Sequence, residues 1–433
     1  MTRPMQTMDE AVAALRPVDR LGLGLGPAHP PAFLHALAGR TDWTDLTIYG
    51  ALLTDLFEVF TRPGVHHLSG FFGPAERFLI ASGADVQFVP ADFRRFAPVL
   101  ERVAPRVIAT AAAPPDADGY CSLALHAGAS WGEIKRAAAD PARLLIVEVN
   151  EGLPRTYGLE PDHPHRIHVD EIDLLVMGDR PVFTLADAEP TAVDRAIAAN
   201  TRPFITDGST LQTGIGSIPS TIVSLLAADP TGGGYGIHSE MFTTGLMQLH
   251  QAGKVTNDAK GTFDGFSVTT FAAGTADLYT WLHENPDVRF LPASIVNAPH
   301  VIAANRRMVT INGAIQVDLF GQVVADTVGG HQYSGIGGHE DFIASSGFEL
   351  EDRSLVCLPA TATIGGEVRS RITAGFAAGT VVTTPRHQLD VVITEHGVAE
   401  LRGRTVRERA QALAAIADPR FRAELEAAAA ASF

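Results

Sequence analysis

Two stretches of the chain, LGLGLGPAHPPAFLHALAG (residues 21–39) and LQTGIGSIPSTIVSLLAAD (residues 211–229), read the same way. Each is a short apolar strand, a Gly-x-Gly loop, a proline and an amphipathic helix. An offset of 190 residues lays Gly24-Leu25-Gly26 over Gly214-Ile215-Gly216, and it also sets Gly50 opposite Glu240. The chain therefore reads as two related α/β halves, of which only the second has a carboxylate at that place. The polar stretch DAEPTAVDRAIAANTRP (187–203) marks the expected boundary, giving domains 1–187 and 188–433.

Working outward, short β-branched runs alternate with Ala/Leu-rich helical runs, which predicts α/β architecture with largely parallel sheets. Strands are expected at Leu46–Tyr49, Val107–Ala109, Leu144–Val149, Leu174–Val176, Phe204–Thr206, Val381–Thr384 and Val391–Thr394. INGAIQVDLFGQVVADT (311–327) reads as a hairpin bent at Gly321. Thr405 with Glu408 forms a capping box opening a helix through about Ile416, and Asp418-Pro419 starts a last one. A chain of 433 residues exceeds what one core supports, so two domains are the natural division.

Composition narrows the function. A net charge of −16 disfavours broad contact with nucleic acid or an acidic membrane, although a local basic pocket for a phosphorylated ligand stays open. No run of about 18 apolar residues is present, and the N-terminal MTRPMQTMDEAVAALRP lacks the apolar core of a signal peptide. Cys121 and Cys357 fit no CxxC pattern and read as two reduced thiols. A cytoplasmic protein is expected.

Several motifs compete for the chemistry. The glycines at 22, 24 and 26 miss the dinucleotide fingerprint, and GIGSIP (214–219) is neither that fingerprint nor a P-loop. Such a turn can aim backbone N–H groups at an anion, or it can be purely structural. SGIGGHEDF (334–342) packs Gly335, Gly337 and Gly338 into four residues, which favours close approach of backbone to a ligand. The group Asp162, His163, His165, His168 and Asp170 matches no zinc spacing, so no metal is expected. Ser239 beside His238 lacks the nucleophile elbow, and adjacent strand residues face opposite ways. Glu240 is either an exposed strand-end carboxylate or a nucleophile held where two glycine loops converge.

The motifs EVNEGLPRTYG (148–158), GIGSIP (214–219), HSEMFTTG (238–245), INGAIQVDLFGQV (311–323), GGHQYSGIGGHEDF (329–342) and VVITEHGVAELRG (391–403), with PPDADGYCSL (114–123), resemble the acetyl-CoA hydrolase/transferase family. The likeness is greatest to its 4-hydroxybutyrate- and butyrate-type CoA-transferases and spans nearly the whole chain. It implies two CoA-transferase-type α/β domains and Glu240 as the catalytic glutamate. It further implies the backbone N–H groups of Ile215 and Gly338 as oxyanion donors, Asn297 as a hold on the acyl group, and Glu395 in support. Gly214, Gly216, Ser239, Met241, Gly335 and Gly337 are carried over as substrate- or CoA-binding positions. The implied partners are an acyl-CoA and a short-chain carboxylate, with coenzyme A as substrate, no other cofactor, and a homodimer.

The implied reaction is ping-pong covalent catalysis through a glutamyl-CoA thioester. With an ordinary pKa of about 4.3, Glu240 is expected to be ionised near neutrality and to need no base. Two other readings stay open: a hydrolase in which water resolves the thioester, and a non-catalytic ligand-binding member of the fold.

Overall fold

The computed structural model describes residues 5–186 and 189–432, so the expected 187/188 boundary falls on residues outside the described set. The chain forms two compact units. The first runs through Leu185 and takes in Val268–Val296 and Tyr333–Gly337. The second comprises Ala186–Ser267, Asn297–Gln332 and the chain from Gly338 on.

The first unit is built on a seven-stranded parallel sheet. Its strands are β1 (Val18–Leu25), β2 (Asp45–Ala51), β3 (Val65–Ser69), β4 (Val86–Phe88), β5 (Val107–Ala112), β6 (Leu144–Val149) and β7 (Leu174–Met177), in the order β4-β3-β2-β1-β5-β6-β7. β5 is buried along its whole length and β6 nearly so, as expected where helices cover both faces of a parallel sheet. Glu148 breaks the apolar run of β6. Its carboxylate accepts the N–H groups of Phe33 (2.8 Å) and Ala32 (3.2 Å) at the start of the helix Pro31–Leu37. Burial nevertheless pushes its pKa up to about 7.

The second unit repeats the plan with β8 (Thr210–Thr213), β9 (Gly236–Ile237), β10 (Met308–Gly313), β11 (Arg353–Cys357), β12 (Val391–Thr394) and β13 (Gly397–Glu400), in the order β9-β8-β10-β11-β12-β13. All pairings are parallel except that of β13. In both sheets the first strand lies between the second and a later one, β1 between β2 and β5 and β8 between β9 and β10. The strand order reverses at that point, and in open α/β sheets ligands bind beyond the carboxyl ends of the strands there.

The helices Val406–Ala415, with its Thr405–Glu408 capping box, and Pro419–Ser432 close the second core through Leu413, Ala414, Leu425 and Ala429. The expected hairpin is present: Gln316–Asp318 pairs antiparallel with Val323–Val324 around Gly321, at φ +85°. Two expected strands are not. Phe204 ends a 3-10 turn and the Thr206 N–H donates to Ser209 Oγ (3.1 Å), so Phe204–Thr206 is the approach to β8. In Val381–Thr384 only Thr384 bridges a neighbour, Val323, while Val381 is about half exposed. β-branched residues make a strand only where a pleated surface receives them. Among the described residues no helix is long and apolar enough to cross a membrane.

Candidate active site

β8 ends at Thr213, and the chain turns through Gly214, Ile215 and Gly216 into the helix Ser217–Ala228. Gly216 has φ +123°, which excludes a side chain without strain, whereas a methyl group on Gly214 would meet nothing within 4 Å. Ile215 is about half exposed. Beside it, β9 runs into His238, Ser239 and Glu240. Ser239 is fully buried, donates its hydroxyl to Thr213 O (3.0 Å) and accepts the Thr213 N–H (3.3 Å). That double tie brings the Gly-Ile-Gly turn and Glu240 to the same end of the sheet, and it gives Ser239 a structural use.

The Glu240 side chain keeps some accessible surface, but its carboxylate is hemmed in. Oε2 accepts Asn297 Nδ2 at 2.6 Å, and the Gly338 N–H also donates to this carboxylate. Asn297 is fully buried, and the same Nδ2 reaches Asp341 Oδ2 at 3.0 Å. A Cβ on Gly338 would lie 1.9 Å from Glu240 Oε2 and 2.8 Å from Asn297 Nδ2, so only glycine lets this backbone approach the carboxylate. Met241 and Phe242 follow, both buried.

These contacts correct the expected ionisation. Burial raises the Glu240 pKa most; the Asn297 hydrogen bond opposes it, the Asp341 charge adds to it, and the Gly338 N–H opposes it. The outcome is about 8, so Glu240 carries a proton through much of the neutral range and must lose it before acting as a nucleophile.

Other expected positions have contacts of their own. Glu395, in the turn between β12 and β13, accepts the Ala360 N–H (2.8 Å). Gly335 and Gly337 pack in the first unit. A Cβ on Gly335 would meet Gly70 O at 2.7 Å, and Gly337 O accepts the Phe93 N–H (3.0 Å). Both cysteines are buried, with their thiols pushed up to about 12. Among the described residues no group of three or more His, Cys, Asp or Glu is placed to hold a metal ion.

Two residues escaped the sequence reading. Asp341 stands inside the quoted SGIGGHEDF motif, three residues after Gly338, and that position was its signal. Lys260 gave no signal: it is fully buried with Nζ on Ile237 O (2.8 Å) and Phe266 O (2.6 Å), and burial lowers its pKa to about 7. With Asn257 Oδ1 accepting the Ile237 N–H (2.9 Å), it grips the edge strand that leads to Glu240.

At the reversal of strand order in the second sheet lies a cavity of about 250 Å³, lined by Ile215, Gly216, Ser217, Asn312, Cys357 and Arg371 among others. Arg371 Nε is buried there without a protein partner. The first unit has a cavity of about 270 Å³ at its own reversal, reached by Gly26, His29, Asn150 and Arg180.

The chain is similar to known proteins. The acetyl-CoA hydrolase/transferase C-terminal domain matches residues 274–429. The 4-hydroxybutyrate coenzyme A transferase of Clostridium kluyveri is 35% identical, covering 97% of this chain and 95% of that protein. The succinyl-CoA:cyclohexane-1-carboxylate CoA transferase of Geobacter metallireducens is also 35% identical, covering 97% and 93%. The crystal structure of RipA from Yersinia pestis superposes with a TM-score of 0.89 at 32% identity, covering 99% of this chain and 97% of that one.

Proposed function

The chain belongs to the acetyl-CoA hydrolase/transferase family and is an acyl-CoA:carboxylate CoA-transferase, and from that premise we propose that it moves CoA from acetyl-CoA to a short-chain carboxylate such as 4-hydroxybutyrate or butyrate, with Glu240 as the covalent carrier. The observation that carries the reading is the carboxylate of Glu240 touching both the Gly338 N–H and Asn297 Nδ2.

In the first step ionised Glu240 attacks the thioester carbonyl, the C–S bond breaks, and CoA leaves as a thiolate from an acyl-glutamyl anhydride. The thiolate then attacks the glutamyl carbonyl and releases the first acid, leaving a glutamyl-CoA thioester. An incoming carboxylate attacks that thioester and expels the thiolate, giving a second anhydride. The thiolate attacks the acyl carbonyl of this anhydride, which forms the new acyl-CoA and restores Glu240.

Every step passes through a tetrahedral oxyanion. The N–H groups of Gly338 and Ile215 are the assigned donors, and a preorganised donor of this kind is typically worth about 10²–10³ in rate. Asn297 holds the acyl group. Buried Met241 and Phe242 keep water from the anhydride. Gly214 and Gly216, with the adjacent cavity and its Arg371, receive part of coenzyme A; Gly335, Gly337 and Glu395 stay assigned to its surroundings. A homodimer and a cytoplasmic location belong to the same reading.

The test is a panel of carboxylic acids offered as acceptors for acetyl-CoA, beside a control with water alone. New acyl-CoA from a short-chain acid, with little loss of acetyl-CoA in the control, supports transfer. Equal consumption of acetyl-CoA with and without acid would assign the protein as a hydrolase.

A further inference from the structure

Asn297 Nδ2 has two N–H bonds and two carboxylates to give them to, Glu240 Oε2 at 2.6 Å and Asp341 Oδ2 at 3.0 Å. Asn297 and Asp341 are both fully buried, so neither has water as an alternative partner. With Glu240 ionised, as attack requires, an amide in this position has one acceptable orientation, because turning it over would press Oδ1 against two carboxylates. Asp341 stands on the helix His339–Ser345, whose N-cap residue is Gly338, so one short segment supplies both the backbone donor to Glu240 and the acid behind Asn297.

We propose that Asp341 is a positioning residue for CoA transfer, holding the Asn297 amide with its N–H aimed at Glu240. The inference rests on Glu240 being the covalent carrier. Asp341 acts through Asn297, whose Nδ2 hydrogen bond it accepts. It also sets a negative charge behind the nucleophile, so it should affect both the rate and the pH at which Glu240 becomes ionised.

The other titratable groups around the site are engaged elsewhere. His339 Nε2 is bonded to Thr384 Oγ1 (2.9 Å), and Glu340 takes the Thr384 hydroxyl. The ring of His238, two residues before Glu240, has its centroid 6.4 Å from that of Phe263 and 6.3 Å from that of Phe342. Lys260 holds the carbonyls of Ile237 and Phe266.

The experiment measures kcat, KM for acetyl-CoA and the pH profile of kcat/KM for Asp341→Asn and Asn297→Ala, singly and together, with Glu240→Ala as reference. Asp341→Asn should lower kcat by about 10–100-fold, the range for losing a hydrogen bond to a charged group, with KM little changed. Its acid limb should move down by about half a unit or more as the like charge disappears. The double variant should be no slower than Asn297→Ala alone, because the two residues work in series. A limb and kcat that match the parent, or losses that simply add, would overturn the role of Asp341. Should Asp341→Asn not fold, Asp341→Glu keeps the charge but displaces it from Asn297. It should lower kcat while leaving the limb in place, and parental kcat there would overturn the proposal equally. Full activity of Glu240→Ala would instead remove the reading beneath it.

Discussion

Gly338→Ala isolates the contact on which the site depends. Gly338 sits at φ −87° and ψ 5°, a conformation open to any residue, so alanine brings no backbone strain. As an N-cap it costs up to about 1 kcal/mol relative to glycine, too little to unfold the domain. The added methyl, however, would lie 1.9 Å from Glu240 Oε2, about 1.1 Å inside the 3.0 Å below which real Cβ contacts are essentially absent. Either the carboxylate or the Gly338 backbone must move by that amount, and the N–H cannot keep its aim. A displacement near 1 Å at a reacting group costs about 10²-fold, and loss of an oxyanion donor about 10²–10³-fold. The expected result is kcat for transfer from acetyl-CoA to butyrate down by about 10²–10³-fold, with the circular dichroism spectrum retained. A kcat within about threefold of the parent, with the fold intact, would refute the argument that backbone approach at Gly338 is part of the chemistry.

Three further outcomes follow from the same geometry. Folding raises the pKa of Glu240, so the folded state gains from its proton at low pH and loses that gain as pH rises through about 8; Glu240→Gln, neutral throughout, should melt a few degrees above the parent at pH 9 and show little difference near pH 4.5, and the opposite trend would contradict the raised pKa. Ser239→Ala should cost about 1 kcal/mol in urea unfolding through its two bonds to Thr213 and keep at least about a tenth of the activity, whereas complete loss would return the serine as a nucleophile. Gly214→Ala has room for its methyl, so stability should hold while KM for acetyl-CoA rises about tenfold if ligand approaches the turn; an unchanged KM would move the ligand elsewhere.

The legible parts of the molecule were those written in local pattern. The repeated strand, Gly-x-Gly and helix announced both sheets, because parallel strands buried on two faces must be continuously apolar. Phe204–Thr206 and Val381–Thr384 carried the same composition without a sheet edge to pair along their length, which no local pattern reports. Glu240 and Gly338 were singled out from their motifs, but not the reason for the glycine, since a clash with a residue 98 positions earlier is a tertiary fact. Asp341 lay in plain view as one acid of GGHEDF, and its partner Asn297 is 44 positions away. Lys260 ran against expectation, because lysine is rarely buried without a carboxylate and here two backbone carbonyls take its place. The shifted ionisation of Glu240 is likewise a product of assembly, since burial and Asp341 act only once the chain is folded.

The central claim is that CoA rides on Glu240. The direct measurement is to incubate the protein with acetyl-CoA in the absence of acceptor, reduce with borohydride, digest, and weigh the peptide carrying Glu240. A thioester there is reduced to a primary alcohol, so the account predicts a mass loss confined to Glu240 and absent without acetyl-CoA. An unmodified Glu240 peptide from fully active protein, or the modification on another side chain, would contradict it.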